Sequence, residues 1–225
     1  MNPNIPKFFQ ALHYWPAYLL LKIVYGFRIE GHENLKGLEN GPIIFVSNHR
    51  SLFDGPICAV SLPRNYFYPA DFFPIRFLAA REINYDWKNR FPFPLSIIIA
   101  GFVRLSGSIP VIRGQGAEAN LSEAIKAINE ENAKIWIYPE GKMSKDGVFQ
   151  KKGKRGVYYL HKMTGAPVVP VGIKDNHKLL RLSFIWKFIS GKKRIQLQFG
   201  KPIYDLGDNE EKGVERVMEE IEKLI

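Results

Sequence analysis

"GPIIFVSNHRSLFDGPICAVSL", residues 41–62, begins as a nearly continuous apolar run, turns polar at Asn48, and becomes apolar again beyond Asp54. A short unbroken apolar run marks a strand covered on both faces, and "FDGPICAVSL" reads as a helix start. Strand, polar turn and helix in succession are the repeating unit of an α/β protein. The unit recurs downstream. "SGSIPVIR" reads as a strand, and "AEANLSEAIKAINEEN" places Leu121, Ala124, Ile125 and Ile128 at helical spacing. "KIWIYPEG" is a strand, "KRGVYYLHKM" a helix and "APVVPVGI" a strand. "RIQLQFGKPI" alternates polar and apolar residues, as near a sheet edge, and "EEKGVERVMEEIEKLI" closes as a helix. The expected fold is α/β, a largely parallel central sheet flanked by helices.

The chain has 225 residues, enough for one sizeable core, and neither a low-complexity tract nor a repeat interrupts it. Lys+Arg 32 against Asp+Glu 22 gives a net charge of +10, which suits an anionic partner such as nucleic acid, a membrane surface or an acidic substrate. The single cysteine, Cys58, excludes an intrachain disulfide and lies in the apolar "GPICAVSL", where a small buried hydrophobe is expected. A reducing, cytoplasmic setting follows as the expectation.

The N-terminal "KFFQALHYWPAYLLLKIVYGFRIEG" is interrupted by Gln10, His13, Pro16 and Lys22, so it does not read as a clean span of roughly 20 apolar residues, nor as an export signal. Aromatics mixed with a few cations suit an amphipathic helical segment lying at a membrane interface, although a first core helix would carry a similar pattern. The expected division is residues 1–28 as this interfacial segment and residues 29–225 as the α/β domain. "KLLRLSFIWKFISGKKR" is a second candidate membrane contact, and "FPFPLSIIIAGFV" reads equally as a third or as buried core.

In open α/β sheets ligands gather at the carboxyl ends of strands. Three polar clusters fall there: "NHRSLFD", "RGQG" and "PEGKMS". His49 and Asp54 stand five residues apart, which at about 100° per residue puts them on different faces of a regular helix. They meet only if a turn intervenes, and Asp54-Gly55-Pro56 permits one. An imidazole held by a carboxylate on one nitrogen offers the other as a general base. A histidine in a loop with the aspartate as helix cap would look the same in sequence. No G-x-S-x-G elbow is present and Cys58 lies among apolar residues, so the nucleophilic hydroxyl is expected to belong to the substrate. Arg113 at a strand end and Lys142 behind "PEG" are candidate anion-binding cations, with N–H donors from the neighbouring glycines.

"NHRSLFD" resembles the first motif, N-H-x-x-x-x-D, of the glycerolipid acyltransferases, the family of 1-acyl-glycerol-3-phosphate (lysophosphatidate) acyltransferases. "GSIPVIR" (107–113) resembles the second block, "YPEGKMS" (138–144) the third and "VVPVGI" (168–173) the fourth, in order over residues 29–205. The resemblance implies transfer of a fatty acyl group from acyl-CoA or acyl carrier protein to the hydroxyl of a lysophospholipid, without metal or cofactor. It implies His49 as base, Asp54 as its support, Arg113 on the acceptor phosphate, and Glu140 and Gly141 shaping the pocket. Where the family commonly reads P-E-G-T-R-S, this chain has Lys142 at the threonine position and Met143 at the arginine position. Lys142 supplies a point charge rather than a bidentate grip, so glycerol 3-phosphate or another lipid-like alcohol stays open as acceptor. Arg81 in "AARE" is a third candidate cation. The implied setting is peripheral or monotopic on the cytoplasmic face of an anionic membrane, with no nucleic-acid partner.

Two other readings compete. "GQGAEA" (114–119) fits G-x-G-x-x-A between a strand and a helix, with Glu140 at a later strand end, as in dinucleotide enzymes, but this leaves the block around His49 unexplained. A basic binding protein for membranes or nucleic acid would tolerate loss of His49 and show salt-dependent affinity without turnover.

Overall fold

The structure is a computed structural model and describes residues 4–65, 67–80, 93–112, 117–144, 146–177, 179, 182–191 and 193–225. Among these, seven strands form one sheet: β1 (Arg28–Glu30), β2 (Ile43–Ser47), β3 (Ile75–Ala80), β4 (Ile109–Val111), β5 (Lys134–Ile137), β6 (Val168–Lys174) and β7 (Gln196–Phe199). Their order is β1-β7-β6-β2-β5-β3-β4. β6, β2, β5, β3 and β4 run parallel, whereas β7 pairs antiparallel with β6 and parallel with β1.

The unbroken "IIFVS" run of β2 is buried at every position because β2 is central and covered on both faces. Alternate residues feed two cores. Phe45, Trp136, Val169 and Val171 face one helical layer, while Ile44, Val46, Ile135 and Ile137 face the other. The first layer contains α1 (Asn4–Tyr25), α2 (Asp54–Ser61) and α6 (Leu182–Ile189), and the second α4 (Ala117–Glu131), α5 (Gly156–Thr164) and α7 (Glu210–Lys223). Leu121, Ala124 and Ile128 of α4 are buried, as their spacing requires. Asn209 caps α7 by accepting the Lys212 N–H at 3.0 Å, with Glu210 and Glu211 in the first turn.

The alternation in "QLQF" appears as intermediate and buried positions along β7, one strand in from the edge. β1 and β3 had no strand signal strong enough to read beforehand. β3 lies within "FFPIRFLAA", whose apolar run does not show where a strand begins.

α1 has two faces. Tyr14, Leu21 and Tyr25 are buried, and the Gln10 amide donates to the carbonyls of Ile75 and Ser106, both at 2.8 Å, while accepting the Ile75 N–H at 3.0 Å. Phe8, Leu12, Leu19 and Ile23 point to solvent. "FPFPLSIIIAGFV" contains helix α3 (Leu95–Leu105), on which Ile97, Ile98 and Phe102 are exposed, so it is not buried core. Phe9 of α1 meets Phe102 edge-on, with centroids 5.0 Å apart. No helix among the described residues is long and apolar enough to cross a membrane.

Candidate active site

β6, β2 and β5 are neighbours running the same way, so the loops at their carboxyl ends open on one edge of the sheet. The side chains that follow these strands converge there, although they lie far apart in sequence.

β2 is followed by Asn48, whose amide donates to the Ile173 carbonyl at 2.9 Å and accepts the Ile173 N–H at 2.8 Å, clamping the loop onto β6. A buried amide that reproduces a strand's pairing fixes where the next residue starts. That residue is His49. Its Nδ1 lies 2.8 Å from Asp54 Oδ2, and its side chain is 22% exposed while that of Asp54 is fully buried.

Asp54 is not a conventional helix cap. It is the first residue of α2, after Phe53, and its Oδ2 accepts the N–H groups of Arg50 at 2.8 Å and Ser51 at 2.9 Å, both in the preceding loop. The turn bends His49 and Asp54 together across a separation that a continuous helix would hold apart. Oδ1 accepts the Asn176 amide at 2.7 Å. Hydrogen bonds to a charged group contribute about 1.5–3 kcal/mol each, so four donors offset the several kcal/mol that burying a carboxylate costs. Asp54 is also favoured at the positive end of the helix dipole. A carboxylate oxygen that serves three donors accepts from Nδ1–H, which leaves the His49 Nε2 lone pair free. No described residue bonds to Nε2.

β5 delivers Tyr138 and Glu140. The Tyr138 ring stacks on the His49 imidazole, centroids 4.1 Å apart and planes 17° apart. Glu140 is buried and holds the His49 main chain: Oε1 accepts the His49 N–H at 2.8 Å, and Oε2 accepts the Gln150 N–H at 3.3 Å. Burial pushes the Glu140 carboxyl above the usual carboxylate range, against the pull of these two N–H donors and of the neighbouring His49 and Arg50. Both oxygens are therefore engaged inside the protein, which removes Glu140 as the ribose-binding acid of a dinucleotide site. The Ser144 N–H donates to the His49 carbonyl at 2.8 Å, so both main-chain polar groups of His49 are gripped by the loop after β5.

Gly141 has φ +72° in the turn after Glu140, where a Cβ would come within 3.1 Å of the Lys154 side chain. Lys142 follows, exposed. Arg81, Arg113 and the glycines of "GQG" lie outside the described residues. Cys58 is fully buried, and burial together with the nearby Asp54 charge pushes its thiol well up, away from nucleophilic chemistry. Among the described residues, no cluster of three or more His, Cys, Asp or Glu side chains is arranged to hold a metal ion.

Asn48, Tyr138, Ser144 and Asn176 were not singled out from sequence. Asn48, Tyr138 and Ser144 sit inside the recognised blocks and were legible as neighbours of the His49–Asp54 pair. Asn176 had no signal, since its partner lies 122 positions away. His161, outside this site, is buried, its Nδ1 2.9 Å from the Ala166 carbonyl oxygen.

A family profile described as Acyltransferase matches residues 26–174, more than half of the chain. The chain belongs to the acyltransferase family. Among curated proteins, the chain is similar to human 1-acyl-sn-glycerol-3-phosphate acyltransferase beta, 27% identical over 150 residues, covering 67% of this chain and 48% of the human protein. It is likewise similar to a chloroplastic 1-acyl-sn-glycerol-3-phosphate acyltransferase of Brassica napus, 26% identical over 177 residues, covering 78% of this chain and 44% of that protein. The chain thus spans about half the length of these curated relatives. Among solved structures, the crystal structure of the 1-acyl-sn-glycerophosphate (LPA) acyltransferase PlsC from Thermotoga maritima superposes with a TM-score of 0.62 at 21% identity. The match covers 98% of this chain and 76% of that one, and shows a shared α/β fold.

Proposed function

We propose that the protein transfers a fatty acyl group from a thioester of coenzyme A or acyl carrier protein to the free hydroxyl of 1-acyl-glycerol-3-phosphate, giving phosphatidic acid. The observation that carries the reading is the His49–Asp54 pair, 2.8 Å apart, with Nε2 free and no activated protein nucleophile among the described residues. In this mechanism Nε2 takes the proton of the acceptor hydroxyl as its oxygen attacks the thioester carbonyl. The C–O bond forms, the C–S bond breaks, and the proton passes from the imidazolium to the departing thiolate. A thiol of pKa about 8.5 leaves readily, so proton return assists the reaction without being essential to it. Asp54 stabilises the imidazolium. The turn at Glu140-Gly141 shapes the pocket for the developing oxyanion, and Lys142, with Arg113 and Arg81, attracts the acceptor phosphate.

The acceptor is a lipid, and three apolar faces suit docking on an anionic membrane, peripherally or as a monotopic protein on its cytoplasmic side. Phe8 and Ile23 of α1 are 72% and 77% exposed, Ile98 of α3 is 63%, and Trp186 of α6 is 68%. Flotation with phosphatidylglycerol vesicles tests this: Phe8→Asp with Ile23→Asp should weaken binding by about tenfold or more, given ~1.5–3 kcal/mol per buried large apolar side chain. Retention of full binding would remove α1 from the contact.

The acceptor is tested by product analysis with one acyl-CoA and either lysophosphatidate, glycerol 3-phosphate or a neutral monoacylglycerol in mixed micelles. Phosphatidic acid as the dominant product supports the proposal. Preferential acylation of glycerol 3-phosphate would move the acceptor to the alternative that Met143 leaves open.

A further inference from the structure

We infer that Asn176 is a positioning residue of the acid–base pair, holding the Asp54 carboxylate in the orientation that His49 requires. Three features of the end of β6 point to this role. Asn176 is fully buried and its Nδ2 donates to Asp54 Oδ1 at 2.7 Å, on the oxygen that His49 does not use. Its own Oδ1 is buried without a hydrogen-bond partner among the described residues. Turning the amide over would present that oxygen to the carboxylate, so the amide keeps its donor on Asp54 and leaves an acceptor unsatisfied. Finally, the residue before it, Asp175, has φ +57°, a left-handed conformation uncommon outside glycine, asparagine and aspartate. This kink ends β6 and turns Asn176 inward, and it is braced by the Asp175–Lys193 pair at 2.7 Å. An orphaned buried acceptor and a left-handed residue are both unfavourable, and they persist side by side where they aim one donor at the base's partner.

The consequence is electrostatic as well as geometric. The Asn176 N–H draws on the carboxylate charge that would otherwise act on the imidazolium. Arg50, Glu140, Tyr138 and Cys58 are the other charged or titratable groups around the pair, and substitution at 176 leaves them in place. The Arg50 and Ser51 N–H groups still hold Oδ2 when Asn176 is changed, so the pair survives with an altered balance.

The kinetic arm of the test rests on the acyl-transfer reading, whereas the titration arm does not. Two variants, Asn176→Ala and Asn176→Asp, are followed by the NMR titration of the His49 ring and by thiol release across pH. Asn176→Ala should lower kcat about tenfold or more, part of the ~10²–10⁴-fold that a general base supplies. The acceptor KM should stay unchanged and the His49 titration should move to higher pH. Asn176→Asp creates a carboxyl pair that shares one proton. It should behave nearly as wild type at acid pH and lose activity as that proton leaves, adding an alkaline limb absent from wild type. A purely structural role would lower thermal stability while leaving the His49 titration and the shape of the pH profile intact, and that result in both variants would overturn the inference. If Asn176→Ala does not fold, the isosteric Asn176→Asp decides alone. Should the wild type prove inactive on every thioester while the His49 titration still shifts in the variants, the positioning role stands and the acyl-transfer reading falls.

Discussion

The loops after β2 and β5 rise from neighbouring strands into the same site, and they are built differently. The first, Asn48 to Asp54, is tied down along its length: Asn48 is pinned to β6, Asp54 accepts two main-chain donors from its own loop, and His49 is gripped by the second loop through its N–H and its carbonyl. The second is anchored at both ends and open between them: Tyr138 and Glu140 pack against His49 and the Ser144 N–H holds its carbonyl, while Gly141 and Lys142 between them stand exposed. The difference separates two tasks. On the proposed reading the base must be held within tenths of an ångström, whereas recognition of a phosphate-bearing acceptor needs charge at an open rim.

Perturbing each loop in turn breaks or sharpens this contrast. Asp54→Asn keeps the size of the side chain and removes its charge, so kcat should fall by about 10²–10⁴-fold with little change in acceptor KM. A KM effect of the same size would mean that the first loop also recognises substrate. Lys142→Glu should do the reverse, raising the lysophosphatidate KM severalfold and leaving kcat nearly intact. A collapse of kcat in that variant would erase the distinction between the loops.

The smallest effect concerns Glu140. Its folded-state pKa is raised above the ordinary 4.5 by burial, so the protonated form is favoured in the folded protein. Stability from this group is fully present below the unfolded pKa and is lost as pH rises through the folded one. Glu140→Gln should therefore flatten the fall in unfolding free energy as pH rises above the ordinary glutamate value of 4.5, measured by urea denaturation of both proteins. An unchanged slope would assign the acid-side dependence to other carboxyls.

Much of this was legible in the sequence, and for physical reasons. β2, β5 and β6 are buried on both faces and therefore read as apolar runs, and the turns that end them carry the recognisable polar blocks. The His49–Asp54 contact was legible because five residues with a helix break between them leave few ways to meet. β1 and β3 were missed because short or aromatic-flanked strands lack a distinctive period. Asn176 was missed because its importance comes from a contact across the sheet edge, and a lone polar residue after a strand carries no pattern. The sequence of α1 did not separate a core helix from an interfacial one because the helix carries both a buried and an exposed apolar face: Tyr14 and Leu21 are buried while Phe8 and Ile23 are exposed.

In the proposed reaction the His49 imidazole activates an acceptor hydroxyl for direct attack on a thioester. Release of free thiol from a long-chain acyl-CoA, with and without lysophosphatidate, in wild type and His49→Ala tests it most directly. Release in the wild type should depend on the acceptor and drop by at least about 10²-fold in the variant. Equal acceptor-dependent release by both proteins would contradict it and leave the His49–Asp54 pair with a structural role alone.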